Sequence, residues 1–179
     1  MKKIVFYLIL FLSISYLTSC ASPVQHSDPF YNVNYDDYPL NHLPLIKPIS
    51  ATRHGSSSHP WGVSIIYGLS VPIPNKQGLV LYAYGIRELE KFAVENGVIV
   101  AYSAYVDTEA NAYIQDNYYH WFVLIPNQEI AEGFHTETEF WEYIQTLGIQ
   151  EIDWQTPGEA YEQFAKTGCL EWIPDCTQP

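Results

Sequence analysis

Basic side chains are scarce in this chain: eight Lys and Arg stand against twenty Asp and Glu, for a formal net charge of −12 at pH 7. A nucleic-acid partner needs clustered Lys and Arg to displace counterions from phosphates, so the composition argues against that class. Cysteine is nearly missing as well, with three in the chain, and no Cys-x-x-Cys spacing suggests a dithiol redox motif. No Gly-x-Ser-x-Gly elbow occurs, which leaves a Ser-His-Asp triad without support. The long apolar run, residues 4–17, would rise roughly 21 Å as a helix, against roughly 30 Å of bilayer hydrocarbon. It is too short for a permanent span.

What is present starts at the N-terminus, where Met1-Lys2-Lys3 precedes that run in the order of a secretory signal, expected to cover residues 1–19 and to be removed. The run ends in Leu17-Thr18-Ser19-Cys20, which resembles the lipobox of bacterial lipoproteins over the first 20 residues of the chain. The resemblance implies a diacylglyceryl group on the Cys20 thiol, cleavage before Cys20 and acylation of the new amine. Each buried methylene contributes roughly 0.8 kcal/mol, so two or three chains make a lasting anchor. No cofactor beyond this covalent lipid is expected. Ala21, in place of the aspartate that favours inner-membrane retention in enterobacterial lipoproteins, points by the same resemblance to the outer membrane.

Loss of residues 1–19 removes Lys2 and Lys3 and no acid, taking the charge to −14. From residue 129 to the end there are eleven Asp or Glu against Lys166 alone. Such a surface repels anions and suits a cationic partner, although a solvated acidic face that keeps a protein soluble is equally consistent with it. Cys169 and Cys176 are expected to pair in an oxidising compartment. The closed loop would contribute about 2.5 kcal/mol on the chain-entropy account.

Residues 20–48 carry Pro23, Pro29, Pro39, Pro44 and Pro48 among polar residues and read as a lipidated tether with a reach of up to about 80 Å. Phe30, Tyr31, Tyr35 and Tyr38 make this arm more aromatic than a linker needs, so part of it is a candidate to pack on the domain. Residues 49–179 then read as a single α+β domain, a mainly antiparallel sheet with about three helices packed against it.

Two helix starts are clear. Thr136-x-x-Glu139 and Thr156-Pro157-Gly158-Glu159 are capping boxes, in which the threonine hydroxyl and the glutamate satisfy free amides of the first turn. Phe140, Ile144 and Leu147 share one face of the first helix, Tyr161, Phe164 and Ala165 one face of the second, with Gly148 and Gly168 as left-handed stops. A third helix is expected over residues 86–95, presenting Ile86, Leu89 and Ala93 and stopping at Asn96-Gly97. Residues 98–106 and 118–125, dense in β-branched and aromatic side chains, should pair antiparallel. Further strands are expected at 63–67, 149–154 and 170–173, while 79–84 fits a strand or a helix start.

Two segments invite chemistry. Arg53-His54-Gly55 resembles the signature of histidine phosphatases, but Ser56–Ser58 fall where that family has a second arginine, and the only other arginine is Arg87. His54 and His59 could instead bind a metal with His120, His135 or Asp36, since imidazole and carboxylate are ordinary zinc ligands; an unremarkable surface loop is the simpler account. The second segment is Tyr118-Tyr119-His120-Trp121-Phe122, where strand alternation sends Tyr119 and Trp121 to one face. Exposed, they could stack on a sugar or anchor a partner; covered by a helix, they are core.

These features lead to a membrane-anchored lipoprotein acting as a noncatalytic acidic binding module of the cell envelope. One form is an immunity or inhibitor lipoprotein that neutralises a cationic effector. A histidine-dependent hydrolase or metalloenzyme and a structural component of an envelope assembly are the alternatives.

Overall fold

The computed structural model of the protein describes residues 22–34, 40–55, 58–65, 69–74, 80–83, 85–105 and 119–176. Apolar runs in the second half of the chain set the architecture. Strands β7 (Leu89–Glu95), β8 (Val98–Ser103), β9 (Trp121–Ile125) and β10 (Ile130–Phe134) form an antiparallel sheet in the order β10-β9-β8-β7. β9 is buried at every position and β8 at all but Tyr102. Near-continuous burial of this kind means that the sheet is covered on both faces.

On one face, Phe92, Ile99, Ala101, Phe122, Leu124 and Ala131 meet Leu43, Ala51, Val63 and Ile86. Those four come from the first sheet, made of β1 (Leu40–Pro44), β2 (Ser50–His54), β3 (Gly62–Ser64) and β6 (Gly85–Ile86) in that order. β4 (Val71–Pro74) and β5 (Val80–Ala83) form a separate hairpin, so residues 79–84 contain a strand. On the other face, Ala93, Val98, Val100, Trp121, Val123 and Ile125 pack under helix α1 (Glu137–Thr146) through Phe140 and Ile144. Helix α2 (Pro157–Thr167) adds Ala160 and Phe164 to the core between the sheets. The class is α+β and mostly β, with two sheets, a hairpin and two α-helices among the described residues.

Both helices start at the expected threonine, but only the first has the full reciprocal capping box, since Glu159 Oε2 accepts from the Thr156 hydroxyl at 2.6 Å instead of from a backbone amide. Thr136 Oγ1 accepts from Glu139 N at 3.2 Å while Glu139 Oε2 accepts from Thr136 N at 3.0 Å. Thr156 Oγ1 accepts from Glu159 N at 3.3 Å, with Pro157 opening the helix. Gly148 and Gly168 take φ of +77° and +73°, as left-handed stops require. The expected pairing of 98–106 with 118–125 is present between β8 and β9, with Val100 opposite Val123.

The expected third helix is absent, because Ile86 ends β6 and Leu89–Glu95 is β7. Asn96 and Gly97 both have positive φ, +51° and +82°, and join β7 to β8 with Glu95 opposite Val98. Two consecutive left-handed residues are the signature of a tight hairpin turn and not of a helix stop. Glu88, at φ +47°, separates β6 from β7. The expected strands at 149–154 and 170–173 are absent too. Ile149 and Ile152 are buried without strand pairing, and the chain then bridges β7 through reciprocal Phe92–Gln155 hydrogen bonds of 2.9 Å. Residues 170–176 turn twice, with Ile173 N donating to Leu170 O and Cys176 N to Ile173 O.

The segment expected as a tether is largely structural. Residues 40–44 are β1, Leu43 and Leu45 are fully buried, and Phe30 and Tyr31 join the same core. The pairing of β1 with β2 gives the proline-rich stretch its backbone partners, and Trp172 Nε1 ties Pro44 O to the C-terminal segment at 3.0 Å.

Candidate functional site

The outer face of the second sheet carries a dense group of rings. Trp121 stacks on Phe140 at 5.0 Å between centroids, and Tyr102 and Trp154 lie 4.6 and 5.9 Å from it. A β-bulge between Leu89 and Lys91 decides what joins them. It turns Leu89 into the core between the sheets and sends Lys91 to the ring face, a re-aiming typical of bulges. Lys91 Nζ then sits 4.6 Å from the Trp154 ring, 5.0 Å from Trp121 and 5.3 Å from Tyr102. No carboxylate forms a salt bridge with it among the described residues, so ring quadrupoles are its main counter-field. The pairing of Lys91 with Trp154 is not legible in the sequence, since the bulge and the strand-free 149–154 segment both escape periodicity.

The expected Tyr119–Trp121 row does not form. Trp121 is 7% exposed beneath α1, whereas Tyr119 precedes β9 and packs toward the core between the sheets. The Tyr119 ring covers Gly133 on β10, where any Cβ would overlap it, and its hydroxyl donates to Pro72 O at 3.0 Å. Burial first, then the charges of Glu132 and Glu139, push that hydroxyl above its ordinary pKa. Tyr119 thus works as a strut between β10 and the β4–β5 hairpin.

His54 is exposed at the end of β2, and His59 is exposed in the following loop. Beside them the Arg53 guanidinium lies 4.8 Å over the Trp61 ring, which is itself 5.4 Å from Tyr161. His120 Nδ1 donates to Ser103 O at 2.9 Å, a role within the sheet. Among the described residues, His54, His59, His120 and His135 do not form a metal-competent cluster; Asp36 lies outside them. Three donors that do converge are His26, Cys169 and Cys176, but the two sulfurs are joined in the Cys169–Cys176 disulfide. His26 Nε2 is also engaged, donating to Gly168 O at 2.6 Å.

That disulfide anchors a clasp between the two ends of the described chain. Val24 N donates to Thr167 O at 2.8 Å, and the Asn32 side chain holds His26 by its N and O. Lys47 Nζ reaches Asp28 at 2.7 Å, and this bond, with that from Phe30 N, holds the Asp28 carboxyl below its ordinary pKa. Cys20 lies outside the described residues.

The acidic character of the second half is a surface property. Of its eleven carboxylates, Glu132 is half-buried and the rest are exposed. Glu171 aside, none forms a salt bridge among the described residues. Glu137, Glu139 and Glu142 lie on α1, and Glu151 and Asp153 on the segment beyond it. No family model, no curated protein and no solved structure matches the chain.

Proposed function

We propose that this protein is a lipid-anchored, noncatalytic binding module of the bacterial cell envelope, held through Cys20 and presenting an acidic face to a cationic protein. The observation that carries the reading is the row of exposed carboxylates Glu137, Glu139, Glu142, Glu151 and Asp153, which form no salt bridge among the described residues and are backed by an aromatic layer. Carboxylates so arranged steer a basic partner and gain contacts without first breaking internal ion pairs. The Cys169–Cys176 disulfide accords with an exported chain. An effector neutralised by such a module is the most specific form of the proposal, and Ala21 after Cys20 favours the outer over the inner membrane for it.

Two measurements test it. A Cys20→Ser variant should lose lipid labelling and leave the membrane fraction; retention at the wild-type level would end the anchoring claim. The full chain should form a salt-sensitive complex with a cationic envelope protein or effector. Glu137→Lys with Glu142→Lys should weaken that complex by about tenfold or more if the α1 face is the contact. Unchanged affinity in the double variant would remove α1 from the interface.

A further inference from the structure

We infer that the face formed by Val24, Gly168 and the Cys169–Cys176 disulfide lies directly on the phospholipid headgroups, so that the domain sits flush on the bilayer; this rests on lipidation of Cys20. Val24 is fixed to the end of α2 by its bond to Thr167 O and by the close approach of its backbone to Gly168, where an added Cβ would come within 2.5 Å of Val24 O. Three residues, Ala21 to Pro23, separate Cys20 from Val24, and the four Cα–Cα steps between them span at most about 14 Å when extended. A lipid on Cys20 therefore brings the end of α2 to within about one headgroup layer of the acyl chains, where a free arm of 28 residues would have left the domain unoriented.

Surface chemistry supports the same face. Val24, 47% exposed, is the large apolar side chain left most open among the described residues, and it stands at the point of attachment. Lys166, exposed in the last turn of α2, precedes the Thr167 carbonyl that holds the arm, and Lys47 is bonded to Asp28 of the arm itself. Glu171 and Asp175 flank the disulfide, so the face is not basic overall, and its contact with lipid follows from the short reach rather than from charge attraction. Helix α1, with Glu137 and Glu142, packs on the opposite side of the second sheet from the core that α2 joins. A flush orientation thus turns the acidic face outward, toward a partner.

The test uses the full lipidated chain in vesicles of phosphatidylethanolamine and phosphatidylglycerol carrying a headgroup-attached energy acceptor. A fluorescent amino acid is placed at position 166 or, in a separate protein, at exposed position 145 on α1. One sheet layer is about 10 Å thick, so transfer should be at least about twofold stronger from 166 than from 145. Insertion of about twenty Gly and Ser residues between Ser22 and Pro23 should bring 166 down to the level of 145, because a flexible linker frees the orientation. Equal or reversed transfer without the insertion overturns the inference. The intact mass of the same sample separates the two failures: absence of lipid on Cys20 overturns the anchoring as well, whereas lipid present with no difference between positions overturns the orientation alone.

Discussion

Helices α1 and α2 start with a threonine cap answered by a glutamate three residues on, and both end next to a glycine of positive φ. Their surroundings then diverge. A Cβ on Gly148 would meet nothing within 4 Å, whereas one on Gly168 would run into the backbone of Val24. The first glycine ends a helix that lies over the sheet through Phe140 and Ile144 and leaves its carboxylates to solvent. The second both ends a helix and receives the N-terminal arm, with His26 on its carbonyl and the disulfide beside it. One local sequence pattern therefore serves a free surface in one place and a long-range clasp in the other.

The largest expected effect comes from replacing the two glycines by alanine. Gly148→Ala should cost about 1 kcal/mol, the penalty of a left-handed alanine. Gly168→Ala should cost about 3 kcal/mol, because the same penalty is joined by overlap with the arm. Urea denaturation measures both, and amide exchange at Val24 should rise in Gly168→Ala alone. Equal costs would mean that the arm is not held at α2. Next in size, replacing Cys169 and Cys176 together by serine should cost about 2.5 kcal/mol. Exchange should again rise at Val24 and stay unchanged in α1; a uniform loss of protection would break the distinction between the two ends.

Both helices, their caps and the β8–β9 pair were legible because each rests on local chemistry: a hydroxyl, a carboxylate, a glycine, a run of branched and aromatic residues. Residues 86–95 misled because Ile86, Leu89 and Ala93 match helical spacing by coincidence, while the Asn96-Gly97 turn that overrides it closes a hairpin. The arm misled for a different reason. Leu43 and Leu45 are buried by pairing with residues 50–54 and by Trp172, a partner 128 positions from Pro44, and no local pattern records that. The disulfide was readable from compartment and count, but its position beside His26 and Gly168 was not. The ring cluster was half legible: Trp121 stood out, but its fate depended on whether a helix would cover it.

Lys91 tests whether that outer layer is held by burial alone. Lys91→Met keeps the aliphatic stem and removes the charge from three rings, so thermal denaturation should show a loss of about 1 kcal/mol. Lys91→Arg should keep most of it. A neutral Lys91→Met would show that the rings of the α1 side need no cation, and α1 would then resemble the disulfide end in relying on packing and links within the chain.

The smallest expected effect separates the two helix starts by pH. Glu139 Oε2 accepts from the backbone N–H of Thr136 and His135, at 3.0 and 3.2 Å, whereas Glu159 Oε2 accepts from the Thr156 hydroxyl at 2.6 Å. The Thr136 bonds, foremost the backbone one, hold the Glu139 carboxyl below its ordinary pKa. A carboxyl depressed in the folded state stabilises it above the unfolded pKa, and that contribution is lost as pH falls from about 4.3 through the lower folded value. Glutamine can still accept both N–H bonds but does not titrate in this range. Glu139→Gln should therefore flatten the acid limb of the stability curve slightly, with exchange at His135 and Thr136 no longer rising between about pH 5 and 3. If the limb and the exchange were the same in wild type and Glu139→Gln, the start of α1 would owe nothing to the ionised carboxylate, and the two helices would differ only at their ends.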